Sequence, residues 1–182
     1  MAKVVAKFYK VSYEQFEKDF LDCAGNLYGV PDNEDKFRVL IRKIYDSIKL
    51  PKRATVGSAG YDFFAPVKIK LKPGDTVKIP TGIRCRIDNN WVLKCYPRSG
   101  LGFKYRMQLN NTVGIIDSDY FGANNEGHIM AKITNDTNED KTIEINRGEG
   151  FMQGIFVEYG ITEDDHVEAT RNGGFGSTDK KE

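Results

Sequence analysis

Thr76-Val77-Lys78-Ile79-Pro80-Thr81-Gly82-Ile83-Arg84-Cys85-Arg86-Ile87 decides the architecture of this 182-residue chain. Val77 and Ile79 alternate with polar neighbours, as do Ile83, Cys85 and Ile87, and Pro80-Thr81-Gly82 separates the two runs. A period of two sends successive side chains to opposite faces, so each run reads as a half-buried strand and the break between them as a turn. The pattern recurs at Ile129, Ala131 and Ile133, and again at Ile143 and Ile145. Pro73-Gly74-Asp75, Asp88-Asn89-Asn90 and the polar stretch 135–140 punctuate it. Many short strands with such punctuation predict a mainly β chain, an antiparallel sandwich or barrel rather than a parallel α/β sheet.

Upstream of Leu50-Pro51 the period becomes helical. Ser12 with Gln15 reads as a capping box, followed by Tyr13, Phe16 and Phe20 on one face with Leu21 at its edge. Asp32 is placed to cap a second helix, with Glu34 and Asp35 in its first turn. Phe37, Leu40, Ile41, Ile44, Tyr45 and Ile48 then follow helical spacing until Pro51 stops the helix. The expectation is one domain over 1–182: a first strand at about 4–9, a helical hairpin at about 12–48, a barrel at about 50–168 and a flap at 169–182. The last stretch is rich in glycine and charge. On its own it buries too little apolar surface to offset its ordering entropy, so it is expected to move unless something docks on it.

Composition narrows the function. Hydrophobic residues are 40% and charged residues 29%, ordinary for a globular protein. Lys+Arg 27 against Asp+Glu 26 leaves a formal charge of +1, with the signs interspersed. That excludes a strongly basic nucleic-acid footprint and a polybasic membrane anchor. No run approaches the roughly 20 apolar residues of a membrane helix, and the first residues lack the apolar core of a secretory signal. Cys23, Cys85 and Cys95 are odd in number and show no Cys-x-x-Cys spacing. They are therefore expected as small buried residues in a reducing, cytoplasmic setting. His128 and His166 have no ligand-like spacing and read as surface or hydrogen-bonded histidines.

Polar, glycine-punctuated segments carry the candidate chemistry. Pro97-Arg98-Ser99-Gly100-Leu101-Gly102 joins a guanidinium, a hydroxyl and permissive glycines, suiting a turn whose amides face an anion; by itself it reads more readily as a β-turn with a surface arginine. In Gly114-Ile115-Ile116-Asp117-Ser118-Asp119-Tyr120, an extended backbone would point Asp117 and Asp119 to the same side. One carboxylate could then serve as general base beside the Tyr120 ring; the alternative is a solvated strand end. Arg171-Asn172-Gly173-Gly174-Phe175-Gly176-Ser177-Thr178 sets one aromatic among glycines between an arginine and two hydroxyls, the make-up of a flap that stacks on a planar group while holding phosphates.

Taken in order with Gly57-Ser58-Ala59-Gly60-Tyr61-Asp62 and Gly148-Glu149-Gly150-Phe151-Met152-Gln153, these segments resemble the five motifs of the trimeric dUTP pyrophosphatases, across residues 50–178. The resemblance implies a jelly-roll-like β-barrel, a homotrimer with active sites at subunit interfaces, and Mg²⁺-dependent hydrolysis of dUTP to dUMP and pyrophosphate. Such an activity limits uracil incorporation into DNA and supplies dUMP for dTMP synthesis. By similarity, Asp117 deprotonates the water that attacks the α-phosphorus, Asn111 and Gly114 belong to the uracil pocket, and Tyr120 packs under the deoxyribose. Arg98, Ser99, Gly100 and Gln153 contact phosphates, and Asp62 holds waters around Mg²⁺ chelated by the triphosphate. Phe175 covers the base while Arg171, Gly176, Ser177 and Thr178 clamp the phosphates. Gly150 stands where the family commonly has Arg, Phe121 replaces Arg or Gln, Ala123 to Gly127 are extra, and the tail motif is one residue shorter than the commonest form. The helical hairpin is an insertion that either covers a barrel edge or binds a protein partner. Two other readings remain: a dCTP deaminase with Glu126 as its acid/base, and a dUTP-binding regulator acting through the hairpin.

Overall fold

The alternation at Val77 and Ile79 becomes one wall of the core. In the computed structural model, which describes residues 3–27, 33–169 and 173, strand β5 (Thr76–Pro80) pairs antiparallel with β10 (Met130–Asn135). Val77 lies opposite Ile133 and Ile79 opposite Ala131, and all four are buried. On the other side of β10, β8 (Met107–Leu109) sets Leu109 against Ile133. Beyond the turn at Gly82, β6 (Ile83–Ile87) pairs with the first strand, β1 (Ala6–Lys10). A five-stranded sheet closes the barrel in the order β2 (Lys52–Arg53), β3 (Tyr61–Phe64), β12 (Gly150–Glu158), β7 (Trp91–Pro97) and β9 (Gly114–Ile116). The pair β4 (Ile69–Leu71) and β11 (Ile143–Ile145) completes a mainly β, jelly-roll-like fold.

The hairpin consists of α1 (Tyr13–Leu27) and α2 (Glu34–Asp46). Phe16, Phe20 and Cys23 of α1 and Phe37, Ile41 and Ile44 of α2 join the barrel's own core cluster or lie buried beside it. Full burial of such aromatic and aliphatic side chains stabilises by about 1.5–3 kcal/mol apiece. Leu21 and Leu40 sit at the edges of these faces and remain partly exposed. Gly82, at φ +73°, lets the hairpin settle: a Cβ there would run into Ile48 Cδ1 and lie 3.3 Å from Phe16 Cδ2. The end of α2 is fastened by Lys10 Nζ, which donates to the Tyr45 carbonyl at 2.9 Å, and by Arg147, which donates to Ser47 Oγ and the Lys43 carbonyl.

Four local expectations change. The cap of α2 is Asn33, whose side chain accepts from the Lys36 amide; Asp32 lies outside the described residues. At α1 only half of the capping box forms. Ser12 Oγ accepts from the Gln15 amide, but the Ser12 amide donates to the Glu126 carboxylate, a charged and stronger acceptor than a glutamine amide. The segment after Pro97 is a short helix, α3 (Ser99–Tyr105), which Arg106 ends in the left-handed region at φ +51°. Finally, the chain turns into a 3-10 helix at Ser118–Gly122, so Asp117 keeps an extended backbone while exposed Asp119 lies in the turn, and the two carboxylates do not share a strand face.

Among the described residues no helix is long and apolar enough to cross a membrane. Cys23, Cys85 and Cys95 are buried free thiols, and burial pushes them up to about 11, 12 and 12 respectively, so none is a ready nucleophile.

Candidate active site

The connection from β8 to β9 builds one wall of a cleft. Its turn is tight: the Thr112 amide donates to the Leu109 carbonyl with Thr112 at φ +63°, and the Val113 amide donates to the Asn111 carbonyl. Gly114 then lies opposite Cys95 on β7. A Cβ at 114 would come within 3.1 Å of Cys95 Cβ and 3.9 Å of Asn111 Nδ2, so the glycine keeps the floor open beside the Asn111 amide. β9 ends at Asp117, and the 3-10 turn swings Tyr120 back against the same space, with its amide donating to the Asp117 carbonyl at 3.2 Å.

Asn111, Gly114, Asp117 and Tyr120 thus line a single cleft of about 660 Å³, within the size range of small-molecule sites. Asp117 is half-buried at its mouth. Tyr120 is 5% exposed, and its hydroxyl is held from two sides: it donates to the His128 carbonyl at 2.8 Å and accepts from Asn125 Nδ2 at 2.8 Å. A phenol anchored at its far end leaves the ring as a fixed apolar surface.

The remaining expected residues form a second group at the end of β3, β12 and β7, outside the lining of this cleft. Arg98 Nε lies 3.3 Å from Asp62 Oδ1, and its guanidinium occupies the space over Gly150; a Cβ at 150 would be 2.9 Å from Arg98 Nη1. Gln153 faces Asp62 and Tyr96 across the strands and donates to the Pro97 carbonyl at 3.2 Å. A Cβ at Gly60 would lie 2.6 Å from Gln153 Oε1, so a larger residue there would shift the Gln153 amide. Ser99 and Gly100 are exposed at the start of α3. Arg171, Phe175, Gly176, Ser177 and Thr178 fall outside the described residues. Glu126 does not line the cleft; it binds Ser12 through the amide and hydroxyl and lies 3.6 Å from Arg84.

Lys78 and Lys132 also line the cleft, directly opposite one another on β5 and β10. Like charges at paired positions are unfavourable, a signal present in the alternation itself once the pairing is known. Asp22 of α1 answers one of them, 3.0 Å from Lys78 Nζ, and hydrogen bonding to it raises the Lys78 pKa. His128, expected only as a surface or hydrogen-bonded residue, is fully buried behind Tyr120.

A jelly-roll barrel with an asparagine-glycine hairpin, a strand-end aspartate and an anchored tyrosine around one cleft defines a β-barrel protein with a cleft of small-molecule size. Comparison with known proteins makes this specific. The dUTPase family profile matches residues 46–179, beginning where α2 ends. The deoxyuridine 5'-triphosphate nucleotidohydrolase of Lactococcus lactis is 38% identical over 145 residues, covering 78% of this chain and 95% of the relative. Its counterpart from Alcanivorax borkumensis is 39% identical over 154 residues, covering 80% and 98%. The crystal structure of the Streptococcus mutans dUTPase superposes with a TM-score of 0.56 at 37% identity, covering 63% of this chain and 88% of that one. A phage phi11 dUTPase of S. aureus, described with a structural Mg(II) ion, shares the fold at 23% identity and a TM-score of 0.53. The chain belongs to the dUTPase family.

Proposed function

We propose that the protein hydrolyses dUTP to dUMP and pyrophosphate, with Asp117 as general base on the attacking water. The observation that carries this is the convergence of Asn111, Gly114, Asp117 and Tyr120 on one cleft. Asn111 reads the uracil edge; because uracil and cytosine exchange donor and acceptor positions, a site paired to one leaves buried groups unpaired against the other. The Tyr120 ring lies under the deoxyribose and leaves no room for a 2′-hydroxyl. Asp117 holds the water and takes its proton as the oxygen reaches the α-phosphorus, while the bond to the β,γ-pyrophosphate breaks.

Mg²⁺ fits the second group. Asp62 is a half-buried carboxylate beside Arg98, the kind of oxygen acceptor that holds the waters of a magnesium ion whose other ligands are phosphates. When bound, the ion disperses charge on the leaving pyrophosphate. Arg98, Ser99, Gly100 and Gln153 contact the phosphates. Their separation from the cleft within one chain supports an assembly, a homotrimer, in which one copy's phosphate group meets another's cleft. The tail residues Arg171, Phe175, Gly176, Ser177 and Thr178 close over the substrate. The setting is cytoplasmic, and the role is to limit uracil in DNA and to supply dUMP.

The test is a side-by-side assay of dUTP, UTP, dCTP and dTTP that follows both pyrophosphate and ammonia. Pyrophosphate from dUTP alone is the expected result, and ammonia from dCTP would overturn it in favour of the deaminase. Asp117→Asn should lower kcat by about 10²-fold or more while dUTP binding persists. The 3-10 turn keeps its shape in that variant because it hangs on the Asp117 carbonyl and not on a side-chain cap. A near-normal kcat would remove Asp117 as the base, and tight dUTP binding without turnover in the wild type would point to the regulator.

A further inference from the structure

The two stretches that depart most from the family pattern, the helical hairpin and the extra residues Ala123 to Gly127, bind each other behind Tyr120. Ser12, the residue before α1, gives its amide and hydroxyl to the Glu126 carboxylate at 2.8 and 2.5 Å. Two turns further along, Asp19 Oδ2 lies 2.5 Å from His128 Nδ1 and also accepts from Gln15 Nε2. The Gly82 amide donates to His128 Nε2 at 2.8 Å. A backbone amide can only donate, so Nε2 is the unprotonated nitrogen and the ring proton sits on Nδ1, aimed at Asp19. The ring is thereby fixed at both ends.

The same residue's carbonyl receives the Tyr120 hydroxyl, and the His128 amide donates to the Asn125 carbonyl, whose side chain holds that hydroxyl from the other side. Burial works to raise the pKa of Asp19, but hydrogen bonds from His128 and Gln15 outweigh it and hold the carboxyl below its ordinary value, so the acceptor stays charged.

We propose that α1 is a positioning element of the active site: through Asp19 and His128 it fixes the loop that pins the Tyr120 ring, and so sets the discrimination between deoxyribose and ribose triphosphates. This rests on the reading of Tyr120 as the sugar platform. Asp19 touches no substrate. It acts through His128 and Tyr120, and a slackened platform is expected to admit a 2′-hydroxyl while holding the deoxyribose less well.

The experiment compares wild type, Asp19→Ala, Asp19→Asn, Asn125→Ala and Glu17→Gln. Readouts are kcat/KM for dUTP and for UTP, together with the slowly exchanging His128 Nδ1 proton by NMR. Asp19→Ala should lose the proton signal and narrow the dUTP/UTP ratio by about tenfold, with UTP turnover rising as dUTP turnover falls; a purely structural lesion lowers both. Asp19→Asn restores an acceptor and should return the signal and most of the ratio. Glu17→Gln, on the same helix but bonded to Arg38 and the Tyr13 hydroxyl rather than to His128, should leave the ratio unchanged. Parallel loss of both activities in Asp19→Ala, or an equal effect of Glu17→Gln, overturns the proposal. Should Asp19→Ala fail to fold, Asn125→Ala decides it, and an unchanged ratio there overturns it. A wild type that does not turn over dUTP refutes the proposed function instead, and the NMR signal still reports the hydrogen-bond chain.

Discussion

Replacing Gly127 by alanine should loosen the loop behind Tyr120 with no change to any polar group. Gly127 sits at φ +68°, where a Cβ costs about 1–2 kcal/mol. The new methyl would also lie 2.5 Å from the Tyr120 carbonyl oxygen and 2.8 Å from Phe121 Cα. Both are backbone atoms of the 3-10 turn, and the Tyr120 carbonyl is itself held by the Ala123 amide at 3.1 Å, so neither can rotate away as a side-chain tip would. Forcing such an overlap typically adds about 1–3 kcal/mol. The sum is roughly 3 kcal/mol, or a fall of about 6–12 °C in Tm for a domain of this size. Calorimetry on Gly127→Ala is the assay, with Gly25→Ala as control. Gly25 is an exposed helical glycine with nothing within 4 Å of a Cβ, so alanine there should stabilise by about 0.5–1 kcal/mol. A Gly127→Ala protein melting within about 1 °C of wild type would show that the turn relaxes freely, and would refute the view that its shape is enforced.

Acid should undo the hairpin's attachment. Glu126 is drawn up by burial, but its hydrogen bonds from Ser12 and the nearby Arg84 prevail and hold its carboxyl below the usual range, as at Asp19. A carboxyl depressed in the folded state contributes stability that is complete above its unfolded pKa, near 4, and is lost as pH falls through the lower folded value. Melting curves between about pH 6 and 3 should therefore slope downward below pH 4, and Glu126→Gln should flatten part of that slope; an identical slope in the variant would exclude this carboxylate as a contributor. Gly150→Arg, which returns the commoner family residue, should push Arg98 off Asp62. The pair is partly exposed, at 45% and 19%, so loss of up to about 1 kcal/mol should lower Tm by no more than about 2–4 °C while KM for dUTP rises roughly fivefold. An unchanged KM would mean that the present placement of Arg98 is not used.

What could be read from the residues was whatever local chemistry decides. Alternation at Val77, Ile79, Ile83 and Cys85 gave real strands because Val77 and Ile79 meet buried Ile133 and Ala131, and Ile83 and Cys85 join the same core. Helical spacing from Phe37 to Ile44 gave a real helix for the same reason. Asp117 and Tyr120 stand together in one of the ordered motifs, whereas Asn111 lies outside them and is expected only through the family resemblance. α3 was not visible: Gly100 and Gly102 disfavour a helix, and it stands because Leu101 and Tyr105 pack on the core and Arg98 accepts two amides. Nor could the place of His128 be read, because its partners Asp19 and Gly82 are distant in sequence and meet it only once the hairpin has docked.

That mutual clasp of hairpin and loop bears on how the fold could be transplanted. An engineer grafting Ser12 to Ile48 onto a plainer relative would leave the Ser12 amide without Glu126 and the Asp19 carboxylate with Gln15 but without His128; moving Ala123 to His128 alone would part Glu126 and His128 from the hairpin. The two segments behave as a single cassette, and a chimera should keep its melting temperature and sugar preference only when both travel together.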